Sequence, residues 1–142
     1  MKILIDTNVL IDYISVREPY YDTAKAIFSL CADGSINGVI SALSVMNTLY
    51  ITRKAYSLKQ QKEILLSVCD IVDVIGVDRK HMISILENDD FSDTEDCLQM
   101  KCAEISYSDL IVTRNINDYK YSSVQAITPD EFIKLYDRTR NF

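Results

Sequence analysis

The chain has 142 residues, 48% of them apolar and 25% charged, an ordinary globular mixture long enough for one domain, residues 1–142, with its own core. Three glycines, two prolines and no apolar run near the ~20 residues of a membrane span exclude low-complexity, collagen-like and membrane-spanning classes. A net charge of −6 excludes a general nucleic-acid coat, which needs Lys and Arg to neutralise phosphates.

Residues 2–6 (KILID) are a short apolar run ending in an acid, the pattern of a buried strand rather than of a secretory signal, so a cytoplasmic protein is expected. Val9, Leu10 and Tyr13 predict a short helix over 8–16. Arg17-Glu18-Pro19 breaks it, and Pro19 suits the first turn of the next helix. In 20–33, Ala24, Ile27, Phe28 and Cys31 recur at helical spacing up to Gly34. Residues 38–41 read as a second strand. Leu43, Met46, Leu49 and Tyr50 then share one face of a helix over 43–56, and a further helix runs from Ser57-Leu58 to about Cys69. Residues 71–75 are β-branched and strand-like, and 77–87 are helical. Ser92-x-x-Glu95 matches a capping box, predicting a helix from near Asp93 that turns Leu98, Cys102 and Ile105 inward. Residues 109–113 and 124–127 read as strands four and five, and Thr128-Pro129-Asp130-Glu131 opens a last helix. Strands alternating with helices predict an α/β fold, a three-layer α/β/α sandwich around a central, mostly parallel five-stranded sheet. Cys31, Cys69, Cys97 and Cys102 are widely spaced, and with His81 the one histidine they read as buried apolar side chains rather than as zinc ligands or disulfides.

In such sheets ligands bind beyond the C-terminal ends of the strands. Asp6, Thr7 and Asn8 end the first predicted strand, and Ser41 ends the second, with Asn47 on the following helix. Thr113-Arg114-Asn115 ends the fourth, with Asp118 three residues on. Between Glu87 and Asp96 lie six acids and no basic residue, equal to the whole net charge excess. No Gly-rich phosphate loop and no G-x-S-x-G occurs. Converging carboxylates without His or Cys are a ligand set for Mg²⁺ or Mn²⁺. The same acids read equally as helix-start residues (Asp93, Glu95, Asp96) or turn formers (Asp6, Asp118).

Three motifs carry a resemblance. Ile5-Asp6-Thr7-Asn8-Val9-Leu10 resembles the opening of PIN-domain nucleases. Asp93-Thr94-Glu95-Asp96-Cys97-Leu98-Gln99 and Thr113-Arg114-Asn115-Ile116-Asn117-Asp118-Tyr119 resemble the D-x-E-D-A-L-Q and T-R-N-x-x-D-F segments of a bacterial toxin-like subgroup, as do Asp12 and Arg17-Glu18-Pro19 after the first motif. The resemblance implies Mg²⁺- or Mn²⁺-dependent cleavage of single-stranded or structured RNA, commonly by the toxin of a toxin–antitoxin pair, with an antitoxin partner and a homodimer. It implies Asp6 and Asp96 as core metal ligands and Asp118 or Asn115 at the later acidic position. Thr113 and Asn8 become hydrogen-bonding support, and Asp93 an outer acid. One departure stands out: where the family often carries Glu after strand two, this chain has Asn47, which brings no charge. Arg17, Arg53, Lys54, Lys101, Arg114 and Lys120 are candidate cations at the crevice rim, Arg114 foremost. The alternative reading is a catalytically weak PIN-like module that binds RNA or a protein. Because clustered acids repel, removing Asp6 or Asp96 is expected to stabilise the metal-free protein.

Overall fold

The computed structural model describes residues 1–141. Five parallel strands stand in the order β3-β2-β1-β4-β5. They are β1 (Lys2–Ile5), β2 (Asn37–Ser41), β3 (Asp73–Ile75), β4 (Leu110–Val112) and β5 (Ala126–Ile127). The helices are α1 (Thr7–Ile14), α2 (Tyr21–Ala32), α3 (Ala42–Ile51), α4 (Leu58–Cys69), α5 (Arg79–Glu87), α6 (Thr94–Ile105) and α7 (Pro129–Arg140), with one 3₁₀ turn at Ile116–Tyr119. No helix among the described residues is long and apolar enough to cross a membrane.

Strand alternation divides the core in two. Ile3 and Ile5 of β1, Ile40 of β2 and Leu110 and Val112 of β4 face Val9 and Leu10 of α1, Ile27 and Phe28 of α2, Val68 of α4 and Phe132 of α7. Leu4, Val39 and Ile111 face the other way, onto Ile85 of α5, Cys97, Met100, Cys102 and Ala103 of α6, and Tyr119. Both faces are covered, which is why these strands read as apolar runs rather than as alternating ones. Gly38 in β2 permits a close approach: a Cβ there would lie 2.6 Å from Cys31 Sγ and 2.9 Å from Val72 Cγ1.

The register builds the crevice. Ile5 pairs with Val112, so Asp6 follows beside Thr113, and the Asp6 N–H donates to the Val112 carbonyl at 3.0 Å. β2 ends on the other side of β1 at Ser41, which caps α3 by accepting from the Ser44 N–H.

Several expectations need correction. Pro19 is not in a first helical turn; it precedes α2, which starts at Tyr21. α3 stops at Ile51 and turns Ser44 and Thr48 inward, leaving Met46 and Tyr50 exposed. Its hydroxyls are satisfied internally, Ser44 by Thr7 and Ser41 and Thr48 by the Ser44 carbonyl, so the polar side can pack. Ser92 does not cap α6; Asp93 does, accepting from the Glu95 N–H at 2.8 Å. Leu98 and Ile105 are only half-buried, and the inward face of α6 carries Cys97, Gln99, Met100, Cys102 and Ala103. Cys69, at the end of α4, is exposed; the other three cysteines are buried, and all four are free.

Candidate metal centre

Asp6 caps α1, with an extended backbone and its carboxylate turned onto the helix start. Oδ1 accepts from the Thr7 N–H at 2.8 Å and from Gln99 Nε2 at 3.0 Å. Oδ2 accepts from Thr113 Oγ1 at 2.8 Å, Tyr119 OH at 3.0 Å and Asn8 Nδ2 at 3.4 Å. The side chain is 7% exposed and held from three sides by β4, the 3₁₀ turn and α6. Burial, then the carboxylates of Asp6 and Asp96, push the Tyr119 phenol far above its usual range, so it stays a proton donor.

Two of these donors were not picked out from the sequence. Gln99 is 1% exposed, and its Nε2 also approaches Ser44 Oγ at 2.8 Å and Thr7 Oγ1 at 3.3 Å, tying α6 to α1 and α3. Its Oε1 is buried without a partner among the described residues. The signal was a polar residue inside the inward stripe of a helix. Tyr119, like Gln99, stood at the end of a quoted motif without a role of its own.

Asp96 sits in the first turn of α6 and is surrounded differently. Burial first, then Asp93, Asp6, Asp118 and Glu95, raise its carboxyl to about 7. Glu95 is also raised, by burial and by Asp93 and Asp6, against the lowering effect of a 2.6 Å hydrogen bond from Asn47 Nδ2. Asp118 is exposed in the 3₁₀ turn. Asn115 precedes that turn; its backbone N–H donates to Thr113 Oγ1 at 3.1 Å, and its side chain is exposed.

Arg114 is not a free rim cation. Its Nε and one terminal nitrogen donate to the two oxygens of Asp12 at 2.7 and 3.2 Å, and its guanidinium stacks 4.0 Å from the Tyr20 ring centroid. Asp12 is 1% exposed, and Arg17 adds a contact at 3.7 Å. Val16 takes the left-handed conformation after α1 (φ 52°), and the Arg17 N–H donates to the Asp12 carbonyl. A β-branched residue there is strained by about 1–3 kcal/mol. Of the other expected cations, Lys101 pairs with Glu104, and Arg53 packs on Tyr50.

The donor set suits a hard divalent cation in charge and atom type: acids only, with none of Asp6, Asp93, Glu95, Asp96 or Asp118 paired to a Lys or Arg among the described residues. The acids are near enough to shift Asp96, yet no three acid, Cys or His side chains among the described residues stand close enough to hold an ion between them.

A family model described as PIN domain matches residues 2–117. The chain belongs to the PIN domain family. Solved structures agree in fold. A PIN-fold chain of a toxin–antitoxin complex from Klebsiella pneumoniae superposes with a TM-score of 0.64 at 21% identity, over 89% of this chain and 96% of that one. VapBC2 from Rickettsia felis, bound to a DNA fragment from its promoter, gives 0.63 at 16% identity, over 90% and 98%. FitAcB from Neisseria gonorrhoeae gives 0.64 at 18%, over 89% and 97%. Among curated proteins, none matches this sequence. In this PIN domain the first-strand acid, the α6 acids and the residues after β4 all lie at the C-terminal edge of the sheet.

Proposed function

We propose that this PIN domain is a divalent-metal-dependent endoribonuclease of the cytoplasm that acts as the toxin of a toxin–antitoxin pair. The observation that carries the reading is the crowding of Asp6, Asp93, Glu95 and Asp118 around Asp96 at the strand ends, with no cationic side chain paired to them among the described residues. Asp6, Asp96 and Asp118 would hold Mg²⁺ or Mn²⁺. When bound, the ion offsets their repulsion, makes water more acidic and stabilises charge on the phosphate under attack.

The chain's own residues prepare that centre. Thr113, Tyr119, Asn8 and Gln99 fix the rotamer of Asp6. Asn115, whose N–H donates to Thr113, would hold water or a phosphate oxygen. Asn47 donates to Glu95, so α6 brings a carboxylate to the position where the family often has its own on α3. Arg114 fixes the strand end through Asp12. The antitoxin partner and the homodimer belong to the same proposal; the exposed Met46, Tyr50 and Ile51 of α3 offer apolar surface for such contacts, and the neighbours' toxin–antitoxin assemblies support it.

The second reading, a binding module with a weak centre, draws on the full hydrogen bonding of Asp6 and the absence of a ready three-residue cage among the described residues. Cleavage of single-stranded RNA with Mn²⁺, Mg²⁺ or EDTA separates the two. Metal-dependent cleavage that disappears in both Asp6→Asn and Asp96→Asn is expected. No cleavage together with no Mn²⁺ binding by calorimetry selects the module.

A further inference from the structure

Beside the acids, and not over them, opens a cavity of about 540 Å³ lined by Pro19, Tyr20, Thr23, Arg114, Asn115 and Pro129, among others. Its wall is joined to Asp6 by a short relay: the Arg114 N–H donates to Asn8 Oδ1, and Asn8 Nδ2 donates to Thr113 and Asp6. From this we infer that the cavity is a nucleotide subsite, holding one base and phosphate of the RNA strand next to the bond that the acids address. The inference rests on the nuclease reading for its RNA.

The lining matches a nucleotide part by part. Tyr20, exposed beside Pro19, offers an aromatic ring of the kind bases stack on. The Asn115 side chain has no hydrogen-bond partner among the described residues and carries both a donor and an acceptor for a base edge. Arg114 spends Nε and one terminal nitrogen on Asp12, leaving Nη1 without a protein partner among the described residues. Among the described residues, Arg114 is the one cationic side chain on the cavity wall and Asp130 the one acid. The acid on the cavity wall, Asp130, already accepts from the Thr23 hydroxyl at 2.8 Å. The buried Asp12 locks the guanidinium plane against Tyr20, so the subsite is formed before any ligand arrives.

A fluorescein-labelled 12-nucleotide single-stranded RNA, titrated in EDTA so that nothing is cut, reads the subsite by anisotropy. Tyr20→Ala removes a stacking surface, and Thr23→Trp fills the cavity. Each is expected to weaken RNA binding at least about fivefold, the loss of one stacked base, without changing Mn²⁺ affinity. Titrating AMP, CMP, GMP and UMP separately is expected to shift the amide resonances of Tyr20, Thr23 and Asn115. Wild-type RNA affinity in both variants overturns the inference, as do mononucleotide shifts confined to other residues. Metal-dependent cleavage that survives unchanged in Thr23→Trp removes the subsite and keeps the nuclease. Mononucleotide shifts at these residues in a protein that cuts no RNA keep the subsite and remove the nuclease.

Discussion

The two banks of the crevice treat negative charge in opposite ways. On the β1–β4 bank, Asp6 is enclosed by five donors and Asp12 is matched to Arg114 and Arg17. On the α6 bank, Asp93, Glu95 and Asp96 stand together and Asp96 is driven up to about 7. One bank is finished by the chain itself; on the other the acids have no Lys or Arg partner among the described residues. Like residues at neighbouring places therefore carry opposite stability consequences, which sequence position alone does not reveal.

The comparison breaks most sharply at Asp12. Asp12→Ala leaves Arg114 without its buried partner and is expected to cost about 3–5 kcal/mol in urea unfolding. Asp6→Ala removes the α1 cap and strands the buried Gln99, Thr113 and Tyr119 donors, with an expected cost of about 2–4 kcal/mol. This reverses the expectation that removing Asp6 relieves repulsion, because the hydrogen bonds outweigh the like charges. Asp96→Asn acts the other way and raises the metal-free melting temperature at pH 8. A carboxyl raised from the ordinary 3.8 to about 7 binds more protons folded than unfolded between those values. Its contribution to stability therefore falls as pH rises through that window, and Asp96→Asn should flatten the fall in a melting series. Saturating Mn²⁺ should raise the wild-type melting temperature at pH 8 and raise that of Asp96→Asn less. Asn47→Ala, which removes a half-exposed contact to Glu95, should lie within about 0.5 kcal/mol of wild type in the same unfolding assay.

The strands and most helices were readable because both faces of the sheet are covered, which leaves apolar runs, and because Asp78, Thr128 and Ser57 cap helices by local chemistry. The face of α3 was not readable from apolar spacing. Ser44 and Thr48 are buried only because Thr7, Ser41 and Gln99 arrive from elsewhere to meet Ser44, and because Thr48 bonds back along its own helix. Asp93 displaced Ser92 as the cap because an Asx-type bond to the second amide onward competes with the capping box. The acids of the site were legible as a set, while their surroundings were not. That Gln99 and Tyr119 reach Asp6 depends on strand order, and that Arg114 meets Asp12 depends on β4 lying beside β1, which brings together residues 102 positions apart.

Asp6 lies near the start of the chain, while the side chains that hold it lie 93, 107 and 113 positions further on. During synthesis on the ribosome, its strand and cap emerge early and wait. The neighbouring strand β4 and the Tyr119 turn arrive only once those later positions have been added. A nascent chain therefore carries the acid through about a hundred further residues of synthesis before the side chains that hold it exist.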